Sequence, residues 1–160
     1  MAGTVRQVER DPLDVDALVL DAQPVVAFIN GEAGASLIEA LLDRAGRGDT
    51  RLLMAVVNVA EVMIVQERRG GADASHRTLE LLQDLPIDLV AVDLELAARA
   101  AYFKFRGGIS LADSFAAAVA HRDGIPVLTG DREFERIANS VEVIWFGGGA
   151  TTPPEPDARM

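Results

Sequence analysis

No cysteine occurs in the 160 residues. Disulfides, thiolate nucleophiles, cysteine–zinc sites and iron–sulfur clusters are therefore excluded together. Histidine is nearly absent too. His76 and His121 are the two copies, which excludes a histidine-rich metal site and schemes built on two catalytic imidazoles. Lysine occurs once, at Lys104, against fourteen arginines. No apolar run approaches the ~20 residues that cross a bilayer; Leu52–Val57, among the longest, has the length of a buried strand. Residues 1–16 carry Arg6, Glu9, Arg10, Asp11, Asp14 and Asp16 and lack the apolar stretch of a signal peptide. No membrane partner is expected, and a cytoplasmic location follows as the default. A basic surplus is also missing: the net charge is −10, which argues against a protein that coats nucleic acid. It leaves room for an enzyme that gathers acidic side chains around a cation.

What is present describes one ordinary soluble domain. Hydrophobic residues make up 49% and charged residues 25%, and the length suits one domain with a core large enough to need no covalent staple. Residues 1–16 are polar and aperiodic and read as an N-terminal extension. Residues 147–160, from Gly147-Gly148-Gly149 through Pro153-Pro154-Glu155-Pro156, read as a flexible C-terminal tail. The domain proper is then 17–146.

Within it, short apolar runs alternate with helical patterns. Strands are expected at Ala17–Leu20, Arg51–Val57, Asp88–Val92, Pro126–Thr129 and Val141–Phe146. Helices are expected at Pro24–Asn30, Ala35–Ala45, Asn58 to about Arg69 with Asn58 as N-cap, Ser75–Leu85, Leu94–Phe105, Leu111–Arg122 capped by Ser110, and Asp131–Ala138. The strands are apolar throughout rather than alternating, the mark of a sheet buried on both faces. The expected architecture is α/β: three layers, α/β/α, around a central parallel sheet of about five strands. Sites in such folds lie beyond the carboxyl ends of the strands, where the strand order reverses.

Four acids fall at that edge. Asp21 follows the first strand and Asp131 the fourth; Glu61 and Asp113 sit in the first turns of two helices. Taken singly, Asp21 and Asp131 could be helix caps and nothing more, and Glu61 and Asp113 could be acids that favour a helix N-terminus. Glu61 and Asp113, however, stand in strongly apolar windows, with no Lys or Arg beside either. Buried carboxylates without partners are costly, and several together repel. A hard divalent cation resolves that conflict, and oxygen-only ligands favour Mg²⁺ or Mn²⁺.

The stretches around these acids are Val19-Leu20-Asp21-Ala22-Gln23-Pro24, Asn58-Val59-Ala60-Glu61-Val62, Ile109-Ser110-Leu111-Ala112-Asp113-Ser114-Phe115 and Leu128-Thr129-Gly130-Asp131-Arg132-Glu133-Phe134. In that order they resemble the PIN-domain ribonucleases, in particular the VapC-type toxins of toxin–antitoxin pairs, over about residues 17–146. One departure is visible: such proteins usually have Ser or Thr within two residues of the first Asp, where Ala22-Gln23 stand here. The resemblance implies a PIN-like fold and metal-dependent hydrolysis of RNA phosphodiester bonds. Asp21 and Asp113 would be the primary Mg²⁺ (or Mn²⁺) ligands. Asp131 and Glu61 would complete the acidic ring, and Ser110 and Thr129 would support it. Glu133, two residues beyond Asp131, could be a further acid around the site, but a solvated helix face is the expected place for it. The resemblance further implies an RNA substrate of the tRNA or rRNA class, a cognate antitoxin and a homodimer. Apolar surface for the antitoxin is sought on Ser36–Arg44 and Glu61–Arg69, with Val62, Met63 and Val65. Candidate phosphate contacts are Arg44, Arg47, Arg51, Arg68, Arg69, Lys104, Arg106, Arg132 and Arg136. The alternatives are a non-catalytic PIN-like binding module and a stand-alone PIN nuclease of RNA processing.

Overall fold

A computed structural model describes residues 9–147; the expectations for residues 1–8 and 148–160 lie outside that range. The element order is β1 (Ala17–Leu20), α1 (Ala22–Ile29), α2 (Ala35–Gly46), β2 (Arg51–Ala55), α3 (Val56–Asp84), β3 (Asp88–Val90), α4 (Leu94–Gly107), α5 (Leu111–Asp123), β4 (Val127–Thr129) and β5 (Val143–Trp145). Short 3-10 helices cover Pro12–Asp14 and Arg132–Ile137. The five strands form one sheet in the order β3-β2-β1-β4-β5, every neighbouring pair parallel. Strand order therefore reverses between β1 and β4.

Side chains along a strand point to opposite faces in turn. Leu18, Leu20, Leu52, Met54, Leu128 and Ile144 enter a core shared with α1, α2 and both halves of α3. Val19, Leu53, Ala55, Val127 and Val143 enter a second core, shared with α4, α5 and the 3-10 helix before β5. Both faces need apolar residues, which is why the strands show no polar alternation. Within α5, Ala116, Ala117, Ala118 and Ala120 are buried; their small side chains let this helix lie close against the sheet.

Three sequence expectations need correction. Residues 9–16 are not all appendage: Val15 is buried, Asp11 caps the Pro12–Asp14 turn, and Arg10 pairs with Glu142 at 2.9 Å. The helices expected at Asn58–Arg69 and Ser75–Leu85 run on as one element, Val56–Asp84, kinked at Gly71, which has φ +80°. Glycine adopts that conformation without steric cost, so the Gly70-Gly71 pair bends the helix rather than ending it. β2 stops at Ala55, and Asn58 lies inside α3, not at its cap.

Candidate active site

Asp21 leaves the carboxyl end of β1. Its backbone N–H donates to Leu128 O of the neighbouring strand at 3.1 Å. Its side chain is the N-cap of α1, accepting from the Ala22 N–H at 2.8 Å, while its other oxygen accepts the Thr129 hydroxyl at 2.7 Å. Thr129 is fully buried at the end of β4, and its hydroxyl oxygen also accepts from the Asp131 N–H at 3.0 Å. One threonine thus ties together the two strands that flank the reversal of strand order. Asp131 in turn caps the following 3-10 helix through the Glu133 N–H, 2.9 Å. For Asp21 and Asp131 the capping role and membership of an acidic cluster hold at once.

Asp113 is in the first turn of α5, whose N-cap is Ser110; the Asp113 N–H donates to Ser110 Oγ at 3.2 Å. Glu61 lies in the second turn of α3, not the first. Its position is set by Asn58, one turn earlier and buried. The Asn58 amide donates to Glu61 Oε2 at 3.1 Å and to Ala112 O at 3.1 Å, next to Asp113. Asn58 is thus a connector between α3 and α5, a role the sequence reading replaced with a cap.

Carboxylate oxygens of Asp21, Glu61 and Asp113 lie within 4.8 Å of one another, and those of Asp113, Asp131 and Glu133 form a second such group. All four expected acids are brought together, and Glu133 joins them. Of its two sequence readings, a solvated face and a further acid of the site, the structure favours the second: its Oε2 accepts the Ser110 N–H at 2.9 Å. The signal for it was present in its spacing of two residues from Asp131.

Electrostatics show how strained this arrangement is without a counter-ion. Burial, opposed by the hydrogen bonds from Thr129 and Ala22, raises the Asp21 carboxyl to about 6, with smaller pushes from Glu61 and Asp131. Burial and the charges of Asp21 and Asp131 push Asp113 far above the carboxylate range. Burial also raises Glu61, against the hydrogen bond from Asn58. Among the described residues no ion pair reaches any of the four acids. Asp113 Oδ2 is buried without a hydrogen-bond partner. An all-oxygen donor set with a spare buried lone pair suits a hard divalent cation.

The cluster forms the floor of a cleft of about 620 Å³. Its lining includes Gln23, Val26, Glu32, Val65, Arg69 and Arg132 besides the acids. Of the nine candidate phosphate contacts only Arg69 and Arg132 line it. Arg51 is paired with Asp88 at the start of β2, at the other edge of the sheet. Glu61, Val65 and Arg69 are spaced by four residues and share one stripe of α3. Val62, proposed for the antitoxin surface, is fully buried in the core; Met63 and Val65 are partly buried.

Five parallel strands with a ring of carboxylates at the switch in strand order define a class of acid-lined nuclease domain. The PIN domain family matches residues 18–140, and the chain belongs to that family. Within it, the chain is 34% identical over 119 residues to the ribonuclease VapC of Mycolicibacterium smegmatis, covering 69% of this chain and 88% of the relative. Among solved structures, the DNA-bound VapBC of Salmonella typhimurium superposes with a TM-score of 0.63 at 17% identity, covering 82% of this chain and 98% of that one. The sarcin–ricin-loop-cleaving toxin VapC20 of Mycobacterium tuberculosis superposes with a TM-score of 0.61 at 16% identity, covering 78% and 95%.

Proposed function

We propose that this chain is the endoribonuclease toxin of a VapBC-type toxin–antitoxin pair, a hydrolase of RNA phosphodiester bonds that depends on Mg²⁺ or Mn²⁺. The observation that carries the reading is the meeting of Asp21, Glu61, Asp113 and Asp131 with no cationic side chain among them and a buried Asp113 oxygen left unpartnered. Asp21, Asp113 and Glu61 would hold the cation, with Asp131 completing the ring. Bound there, the cation supplies Lewis-acid stabilisation of the negative charge that develops at phosphorus and makes water a better nucleophile at neutral pH.

The chain's own residues prepare that place. Thr129 fixes one oxygen of Asp21 and Ala22 N–H the other, so this carboxylate cannot turn away. Asn58 holds Glu61 toward the cluster. Arg69 and Arg132 at the cleft wall, here paired with the exposed Glu32 and Glu135, would give an RNA backbone two places to bind by exchanging those partners for phosphates. The tRNA or rRNA class fits a protein whose solved relative VapC20 cleaves the sarcin–ricin loop.

A cognate antitoxin is the second partner, in keeping with the VapBC complexes among the structural neighbours. Its docking surface includes the partly buried Val65 and the exposed Ile64 of α3. The third partner is a second copy. On α4, Leu94 and Phe105 are 87% and 88% exposed and Tyr102 is exposed, as is Leu111 at the start of α5. Leu94, Tyr102 and Phe105 share one helical face. Acids Asp93 and Glu95 stand at the start of α4 and Lys104 and Arg106 at its end. Two such helices related by a two-fold axis and lying antiparallel would bury the apolar stripe and set each acidic end against a basic one. No helix among the described residues is long and apolar enough to cross a membrane; a cytoplasmic location is part of this proposal.

The decisive assay is cleavage of structured RNA by the purified protein with and without Mg²⁺ or Mn²⁺. Cleavage is expected with the cation, none after chelation, and none from Asp21→Asn or Asp113→Asn. Binding of an antitoxin by a wild-type protein that cuts no RNA would assign it as a binding module instead.

A further inference from the structure

A helix that begins Ser-x-x-Asp normally closes a capping box. The Ser side chain takes the N–H three residues on, and the acid at that position turns back to take the Ser N–H. In α5 the first half of the box is made: the Asp113 N–H donates to Ser110 Oγ. The second half is not made by Asp113. The Ser110 N–H donates instead to Glu133 Oε2 at 2.9 Å, from the 3-10 helix that follows β4, across 23 residues of sequence. Asp113 Oδ2 is left buried without a hydrogen-bond partner, and the Asp113 carboxylate shares one oxygen group with Asp21 and Glu61 and a second with Asp131 and Glu133.

We infer that Glu133 is a positioning residue: by occupying the Ser110 N–H in place of Asp113, it keeps the Asp113 carboxylate out of its own helix cap and in the acidic cluster. The geometry is self-consistent on both sides. Glu133 is itself held, because its backbone N–H donates to Asp131 Oδ1. Asp131 and Asp113 are thereby set by one continuous chain of bonds, Thr129 to Asp131 to Glu133 to Ser110 to Asp113. The competitor for Asp113 is local and strong, since a carboxylate at the third position of a helix needs only a rotamer change to reach its cap. Glu133 removes that option by getting there first.

The inference rests on the reading of the cluster as a cation site, and its test has one readout that needs the cation and one that does not. Mn²⁺ affinity is measured by calorimetry on the wild type, Glu133→Ala, Glu133→Leu and Glu133→Gln. An orienting partner outside the ligand set is worth about 10–100-fold in metal affinity. The Ala and Leu variants are expected to lose at least about tenfold, while Gln, which keeps an oxygen for the Ser110 N–H, stays near the wild type. Wild-type affinity in the Ala variant would overturn the inference. So would an equal loss in Gln, because Glu133 would then act by its charge.

The second readout is hydrogen exchange at the Ser110 amide in cation-free protein. It is expected to stay slow in Glu133→Ala, where Asp113 takes over the amide, and to become fast in the Glu133→Ala/Asp113→Ala double variant. Fast exchange in the single variant would show that Asp113 does not compete for the amide, and would end the proposal even if the wild type bound no Mn²⁺. Failure of both Ala and Leu variants to fold would also overturn it, by showing that the bond serves packing. A wild type without Mn²⁺ affinity but with the expected exchange pattern would sink the cation-site reading alone.

Discussion

Asp21 keeps its proton to about pH 6 in the folded chain, whereas an unfolded Asp loses it near 3.8. Between those values the folded state binds more protons, so its stability falls as pH rises through that window. A shift of that size is worth about 2–3 kcal/mol. The metal-free protein should therefore melt at a lower temperature at pH 7 than at pH 4.5 on this account. Asp21→Asn, which can still cap α1, should weaken the dependence, leaving the share of Glu61 and Asp113, and raise the metal-free melting temperature while abolishing cleavage. Thermal melts across pH, with and without Mg²⁺, check this, and Mg²⁺ should return the lost stability at neutral pH by binding only the folded state. Thr129→Val removes one hydroxyl that serves both Asp21 and Asp131. It should weaken cation affinity by about tenfold or more, with kcat falling at subsaturating cation and recovering as the cation is raised. At this scale the sequence was most legible: strand-end and helix-start acids in apolar surroundings could be picked out because unpaired buried charge is expensive. The contacts that Asn58 and Glu133 make were not legible, although the spacing of Glu133 from Asp131 marked it as a candidate. Their roles depend on Ala112 and Ser110, partners across the fold at sequence separations of 54 and 23 residues, which no local pattern encodes.

Elements were legible where periodicity is strong and less so at their ends. The five strands and the helices over both faces follow from apolar runs alternating with helical stripes, whereas the join of two helices at Gly71 does not. Gly-Gly normally reads as a stop, and only the packing of Val62 before the kink and Leu82 after it into one core decides for a bend. Pro12–Asp14 was missed because a polar segment with one buried Val15 carries almost no periodic signal. A testable element is the turn into α2. Gly34 has φ +90°, and a Cβ there would overlap the Phe146 ring. Gly34→Ala should cost roughly 1–3 kcal/mol, read as a fall in denaturation midpoint with an unchanged m-value. It should leave cation binding intact, because neither Gly34 nor Phe146 lines the cleft.

For the whole molecule the charge balance was a poor guide to the substrate. A net charge of −10 speaks against nucleic acid, yet part of it is the cluster that a cation would neutralise, and Arg69 and Arg132 line the cleft above that cluster. Pairing through α4 predicts that Phe105→Glu yields monomers in sedimentation velocity. Glu95→Lys and Lys104→Glu should each weaken the dimer, and the double exchange should restore it; no recovery would rule out the antiparallel arrangement. The four acids also have a bearing on biosynthesis. Asp21 and Asp131 are 110 residues apart in sequence, and the strand that delivers Asp131 must slot in beside β1 before the two can meet. On the proposed reading, a nascent polypeptide still short of that strand would carry three of the four carboxylates without a complete cation site, and an antitoxin would first be needed after β4 has docked.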